Sequence, residues 1–393
     1  MRRVVLIVSC AVLLVSAARA QAQEASPPPP VAPAAPSPSP SPEPTPPPPE
    51  PAAPAQAGPA ASKVFNPDMA VIGNFTGAAG KNEVNPRPSL NLEEAEASFQ
   101  AIVDPYARAD FFLTFSNEEV GVEEGFITFT SLPSGFLLKV GKLKADFGKV
   151  NTMHAHILPW VDRPLVMTNL LGGDEGIADA GLSLSRLFPN PVLFLEATGE
   201  VYRGEVGDVF TAPRRQDVLL VGHLRAYRDL GESTNVEVGG SVARGGSAAG
   251  PGAHNLLYGA DATLRWRPLR RAIYHRLLLR SELMWSRRES GAAEVAGTGF
   301  VPGQTLRAFG LYASGEYQFA RRWFAGARYD TAERANEPDQ RDRGGSFLLT
   351  YWPSEFSQIR AQARRTTYAE GSTANELLFQ FLFSIGAHGA HPF

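Results

Sequence analysis

Short segments in which apolar and polar side chains alternate recur from residue 62 to the end of the chain. The last of them is the clearest, because every second residue is large and apolar: Leu377, Phe379, Phe381, Phe383 and Ile385. A period of two places these side chains on one face of a strand and the intervening ones on the other. The segment therefore predicts a strand whose apolar face meets either membrane lipid or the inside of a soluble β-sandwich.

Sixteen such strand candidates can be read along the chain, and each is long enough to cross a bilayer when tilted. They span residues 66–77, 90–103, 106–116, 121–131, 136–147, 177–187, 192–203, 217–228, 233–243, 256–267, 274–287, 305–319, 323–332, 344–352, 356–367 and 375–386. No window after the N-terminal segment holds 18 uninterrupted apolar residues, which argues against a helical membrane protein.

The connections between the strands alternate in length. Short turns rich in Pro, Gly, Asn, Asp or charged residues alternate with longer links at 78–89, 148–176, 204–216, 244–255, 288–304, 333–343 and 368–374. Only the link near residues 116–120 breaks this order. Short turns at one end and long loops at the other are typical of outer-membrane barrels. We therefore predict an all-β fold: a transmembrane, antiparallel, up-and-down β-barrel of about 16 strands over residues 62–393.

The N-terminal part has a different composition. Residues 1–20 carry Arg2 and Arg3, an apolar run and Ala18-Arg19-Ala20, which predicts a signal peptide; the single cysteine, Cys10, lies within it. Residues 21–61 contain 17 of the 33 prolines and almost no large apolar residue, which predicts a disordered, extended segment in the periplasm. It is either a passive spacer or a contact to the cell wall or a periplasmic partner.

Charged residues fall on the predicted inward faces, because a charge facing lipid near the midplane costs about 2–4 kcal/mol. One side of the predicted interior is acidic, with Glu94, Glu96, Glu196 and Glu200. The later strands are basic and contribute Arg225, Arg265, Arg267, Arg276, Arg280, Arg328, Arg360 and Arg364. We expect these side chains to line a water-filled pore in which arginines favour anions, or else to pair into a structural network.

The strand number, the arginine-rich interior and the aromatic end resemble bacterial general porins, in particular phosphate-selective ones. Two local stretches also resemble an uncharacterised family of outer-membrane proteins, some of which are labelled zinc-regulated outer-membrane receptors. They are Asn151-Thr152-Met153-His154-Ala155-His156 with Trp160 to Leu165, and the ending Gly386 to Phe393. The resemblance implies a barrel in the outer membrane of a Gram-negative bacterium, with lipid as its surroundings and the N-terminal segment in the periplasm.

The long link 148–176 is unusually apolar for a solvated loop and carries His154, His156, Trp160 and Asp162. We predict that it folds into the barrel mouth as a constriction, with a lid over the rim or a subunit contact as alternatives. His154 and His156 share one side of an extended segment, and Asp162 could complete a zinc site. The alternative is that the histidines only form hydrogen bonds and that the protein holds no cofactor.

These features favour an outer-membrane channel for passive diffusion of small polar solutes, with a preference for anions. The alternatives are a substrate- or metal-specific uptake protein or receptor, and a non-conducting structural barrel of the envelope. We predict no enzyme, because no nucleophile elbow or phosphate-binding loop is present. The net charge of −3 argues against nucleic-acid binding. A homotrimer, common among porin-like barrels, is one expected state of assembly.

Overall fold

The computed structural model describes residues 67–386 apart from 117, 118, 174, 251, 292, 296–298 and 302. The chain divides into two compact units, Met1–Ala60 and Ala61–Phe393, and all described residues belong to the second. The predicted signal peptide and proline-rich segment, together with His388 and His391, lie outside the described residues.

Sixteen antiparallel strands form a closed barrel, which confirms the predicted fold class. In chain order they are β1 (Asp68–Lys81), β2 (Leu90–Asp104), β3 (Ala107–Phe115), β4 (Val120–Phe129), β5 (Phe136–Lys144), β6 (Ala178–Phe188), β7 (Phe194–Tyr202), β8 (Leu219–Gly231), β9 (Thr234–Gly246), β10 (His254–Trp266) and β11 (Arg276–Ser290), followed, after a hairpin outside the barrel, by β14 (Gln304–Ala320), β15 (Trp323–Arg334), β16 (Glu337–Ser354), β17 (Ser357–Thr367) and β18 (Thr373–Gly386). The hairpin consists of β12 (Ala293–Val295) and β13 (Gly299–Val301).

The seam of the barrel joins the first strand to the last. β1 pairs with β18 from Ala70 opposite Gly386 to Lys81 opposite Asn375. Because this pairing closes the sheet, no strand edge of the barrel is left open to association with other chains.

One predicted connection is wrong. Residues 333–343 are not a long loop, because β15 continues to Arg334, β16 begins at Glu337, and only two residues separate the strands. Arg334 forms ion pairs with Asp342 and Glu370 in this extension. These charged residues lack the apolar alternation of a lipid-facing strand, which is why the sequence reads as a loop there.

The two faces of β16, β17 and β18 differ as the alternation predicts. On β18 the outward Leu377, Phe381, Phe383 and Ile385 are exposed, whereas Glu376 and Gln380 point inward and are buried. Among the described residues, no helix is long and apolar enough to cross a membrane.

The interior of the barrel is occupied by the segment 145–177, which joins β5 to β6. It contains a 3₁₀ turn (Ala155–Ile157) and the short helix α1 (Leu165–Leu170), which packs against β11, β14, β15 and β16. A buried apolar cluster combines its side chains with Val206, Val209 and Phe210 of the next long loop and with inward residues of the strands. The predicted constriction therefore extends into a packed core inside the barrel.

Candidate functional site

Asp162 connects the segment 145–177, hereafter the inward-folded segment, to the basic wall of the barrel. Its carboxylate accepts hydrogen bonds from Arg328 (2.8 Å), Arg364 (2.7 Å) and the amide of Gln362 (2.5 Å). Burial alone would raise the pKa of Asp162, but the charges of Arg328 and Arg364 outweigh it and hold the pKa well below its usual range. Asp162 thus pairs with two arginines, Arg328 on β15 and Arg364 on β17.

Three of the arginines predicted to face the pore are instead covered by this segment. Arg328 also bonds Asp330 and lies 4.9 Å from the centre of the Trp160 ring, while Arg364 pairs with Glu376. Arg360 donates to the carbonyl of Leu158 at 2.7 Å. Arg328, Arg360 and Arg364 therefore do not face open water, which corrects the prediction. Each is buried and hydrogen-bonded to the segment, and together they hold it against the wall of the barrel.

The other basic residues line a cavity of about 160 Å³ at the short-turn end of the barrel. Its walls include Arg265, Arg267, Arg276 and Arg280, and the buried Arg360 also borders it. Apolar side chains complete the lining, among them Phe324, above whose ring the Arg276 guanidinium lies at 4.6 Å. Arg265 is paired with Glu237 at 3.1 Å. Glu316 and Glu355 also line the cavity, which thus combines an excess of positive charge with apolar surface.

A second cavity, of about 300 Å³, lies on the other side of the segment, against β4 to β8. It is lined by acidic residues, including Glu124, Glu196 and Glu200, and by Lys139 and Arg225. Arg225 and Glu196 form an ion pair at 2.6 Å. The acidic and basic sides expected from the sequence are both present, and the inward-folded segment lies between them.

His154 and His156 point from the 3₁₀ turn toward the acidic side. Nδ1 of His154 is 2.6 Å from Oε2 of Glu96, and its Nε2 is 2.8 Å from Oε2 of Glu124. Nδ1 of His156 is 3.6 Å from both Glu94 and Glu96. Burial disfavours the charged imidazolium, but the bonds to Glu124 and Glu96 outweigh it and raise the pKa of His154 to about 10.

The structure adds residues to this group that the sequence reading did not include. Glu123 Oε2 lies 3.4 Å from His154 Nδ1, and Glu123 also pairs with Lys144 at 3.0 Å. The register of β3 and β4 shifts between Phe112 and Leu113, which leaves Glu123 as the extra residue of a β-bulge. Bulges change the direction of a side chain, and this one lets the adjacent Glu123 and Glu124 both reach the interior. The adjacent pair Glu123-Glu124 is the sequence feature from which this bulge could have been predicted.

Asp162 is not the residue that joins the two histidines. It is held by Arg328 and Arg364, whereas ligand atoms of Glu96, His154 and His156 lie within 4.8 Å of one another. A site at the histidines would therefore use glutamates of β2 and β4 in place of Asp162.

A protein of Aquifex aeolicus (strain VF5), described as an uncharacterized protein, is 30% identical to this chain over 400 residues, which cover 86% of this chain and 82% of that protein. The chain belongs to the family of that protein. No family model matches the chain.

Solved structures with the same architecture are outer-membrane porins. An anion-selective porin from Comamonas acidovorans superposes with a TM-score of 0.55 at 9% identity, covering 81% of this chain and 98% of that chain. Salmonella typhi OmpF in complex with daunomycin gives 0.54 at 9%, covering 81% and 97%. The trimer form of OmpT, an outer membrane protein of Vibrio cholerae, gives 0.52 at 9%, covering 81% and 100%. At this identity, the likeness shows that the chain has the porin fold.

Proposed function

We propose that this protein is an outer-membrane channel through which small polar solutes diffuse passively, with a preference for anions. The observation that carries the proposal is the closed barrel of 16 strands, apolar outside and charged inside. A barrel of this size is wider than its own side chains can fill, so its interior serves a passage or an inserted segment. No covalent chemistry is part of the proposal.

The anion preference rests on the arginine-lined cavity. Arg267, Arg276 and Arg280 line it, together with Arg265. Arginine side chains arranged around a pore favour anions and phosphates, because the guanidinium group stays charged and offers several hydrogen-bond donors. The anion selectivity named for the Comamonas porin is compatible with this preference.

Planar-bilayer recording tests both parts of the proposal. The purified barrel should give ohmic current, and a salt gradient should give a reversal potential that indicates anion preference. Replacing the cavity arginines together by glutamine should move that potential toward cations: Arg267→Gln, Arg276→Gln and Arg280→Gln. Three exposed arginines near the same end serve as the matched control: Arg228→Gln, Arg270→Gln and Arg321→Gln. Absence of current at every voltage would refute the channel, and equal potentials in the two triple variants would refute the selectivity.

The packed interior supports a second candidate, a barrel that does not conduct in its resting state and serves as a structural or gated component of the envelope. Phe147, Val166, Met167, Leu170 and Leu171 are fully buried inside the barrel. Silence of the wild type combined with current after removal of this packing would favour the second candidate over an open channel.

We also propose that the barrel resides in the bacterial outer membrane as a homotrimer, with residues 21–61 extending into the periplasm. The trimer form of the Vibrio OmpT barrel supports this assembly. The mass of the detergent-solubilised protein, measured by light scattering with the detergent contribution subtracted, should be three times that of one chain. A mass of one chain would contradict the trimer.

A further inference from the structure

The side chains around His154 and His156 form a compact group inside the barrel. The two histidines extend from the inward-folded segment, Glu94 and Glu96 come from β2, and Glu123 and Glu124 come from β4. We propose that this group binds one transition-metal dication of the Zn²⁺ type.

The separations between the candidate ligand atoms suit such an ion. With bonds of about 2.0–2.1 Å to nitrogen and oxygen, the ligands of a tetrahedral Zn²⁺ lie about 3.3 Å apart. His156 Nδ1 is 3.6 Å from Glu94 Oε1 and from Glu96 Oε2, and His154 Nδ1 is 3.4 Å from Glu123 Oε2. His154 Nδ1 and Glu96 Oε2, which lie 2.6 Å apart, would have to separate by about 0.7 Å for both to bind the ion. Small side-chain adjustments would therefore bring two nitrogens and two or three oxygens around one centre.

Glu124 occupies the position of an orienting partner. Metal-bound histidines usually donate the N–H of the other ring nitrogen to a carboxylate, which fixes the tautomer and the ring. While Nδ1 of His154 faces Glu96 and Glu123, its Nε2 lies 2.8 Å from Glu124 Oε2. The arrangement is that of a carboxylate–histidine–metal relay with the metal at Nδ1.

The charge of the group also calls for a cation. Among the described residues, Lys144 is the one lysine or arginine that forms a salt bridge with any of the four glutamates. Glu94 Oε1 and Glu123 Oε2 are buried and accept no hydrogen bond from the described residues. Buried carboxylate oxygens without donors are costly unless paired or bound to a metal, and a dication would satisfy both.

The nature of the donors selects the class of ion. Imidazole nitrogens favour Zn²⁺, Ni²⁺ or Cu²⁺, whereas Ca²⁺ and Mg²⁺ prefer sites made of oxygen alone. Bound there, the ion would join the inward-folded segment to β2 and β4, whereas Asp162 joins it to β15 and β17.

Calorimetric titration of the folded, chelator-treated barrel with Zn²⁺ tests the proposal. The full mature chain is used with His388→Gln and His391→Gln, so that the terminal histidines cannot contribute. We expect one Zn²⁺ per chain, and we expect Co²⁺ at the same site to show the visible absorption of a four-coordinate ion with nitrogen and oxygen ligands.

Variants then locate the site. The ligand variants Glu94→Gln and His156→Gln should weaken binding at least as much as Glu124→Gln, for which about 10–100-fold is typical of an orienting carboxylate. His275→Gln, at a half-buried histidine in the turn before β11 that contacts Tyr317 and none of the four glutamates, is the matched control and should bind as before. Circular dichroism and heat-dependent gel mobility verify that each variant is folded; of two ligand variants, the isosteric Glu94→Gln is the less disruptive. Failure of the parent to bind one Zn²⁺, or equal affinities in the control and the folded ligand variants, would overturn the proposal.

Discussion

Single side chains hold the inward-folded segment, and they do so through buried charges. Asp162 bonds Arg328 and Arg364 on β15 and β17, while His154 contacts glutamates on β2 and β4. A buried ion pair contributes little net stability because desolvation offsets the attraction, but removing one partner leaves the other charge uncompensated. These pairs therefore determine where the segment lies more than how stable the barrel is.

We expect Asp162→Asn to lower the free energy of unfolding by about 3 kcal/mol, since two buried guanidinium groups lose a common anion. This value lies at the low end of the range of about 3–5 kcal/mol for breaking a buried ion pair. The reason is that Arg328 still pairs with Asp330 and Arg364 still pairs with Glu376. Urea unfolding in detergent, followed by tryptophan fluorescence, gives the change. Asp339→Asn, at an exposed position of β16, is the control, and an equal effect of the two substitutions would contradict the anchoring role.

Individual strands depart from strict alternation at two kinds of position, and both have structural consequences. The bulge at Glu123 adds a carboxylate to the interior. On β1, Gly73 and Gly77 lie beneath the rings of Phe383 and Phe379, so that the aromatic residues of β18 cover the backbone at the seam. Glycine is needed there because a side chain would occupy the space of the ring.

We expect Gly77→Ala to destabilise the closed barrel by about 1–3 kcal/mol, which is typical of overpacking. The added Cβ would lie 2.1 Å from the Phe379 ring and 2.6 Å from the backbone oxygen of Ser89, which cannot move without shifting the neighbouring strand. The folded fraction on heat-dependent gel mobility, measured against urea, reports the effect. Gly199→Ala, on a strand where nothing lies within 4 Å of the added atom, should be nearly neutral. An unchanged folded fraction for Gly77→Ala would show that the seam accommodates the added methyl group without loss of stability.

The molecule as a whole combines a closed barrel with a packed interior. Closure of the barrel gives every strand a hydrogen-bonded neighbour on both edges, and the apolar outer face is free to contact lipid. Inside the barrel, the segment 145–177 and the loop around Phe210 bury an apolar cluster. The two cavities lie on opposite sides of the segment, and in the channel that we propose its position would therefore control the passage of solutes.

Replacing residues 158–171 by a Gly-Ser linker of equal length should increase single-channel conductance about twofold or more, since a barrel of this strand number encloses a water-filled lumen when nothing is inserted. The barrel strands should remain folded because their pairing does not involve the segment. Conductance in planar bilayers is the measurement, with a length-preserving Gly-Ser replacement of the hairpin strands Ala293–Val295 and Gly299–Val301 as control. An unchanged conductance would mean that the segment does not limit the pore.

Much of the fold could be predicted because lipid and the barrel interior impose a period of two on every spanning strand. β18 shows this most clearly, since its outward positions from Leu377 to Ile385 are apolar and the inward Glu376 and Gln380 are polar. The prediction was wrong at 333–343, because the strands there lack a lipid-like pattern and are stabilised by ion pairs such as Arg334 with Asp342. The site could be predicted only as His154 and His156, because Glu96 and Glu123 are distant in sequence and reach them through the fold.

The sequence alone therefore specified a barrel of sixteen strands, its inner and outer faces and its long apolar loop. These properties follow from the alternation of apolar and polar residues and from the residue types at turns, both of which can be recognised in consecutive residues. Only the tertiary structure showed that Asp162 pairs with Arg328 and Arg364, and that four glutamates surround two histidines. Such contacts join residues up to about 200 positions apart, and their formation depends on closure of the barrel around the segment.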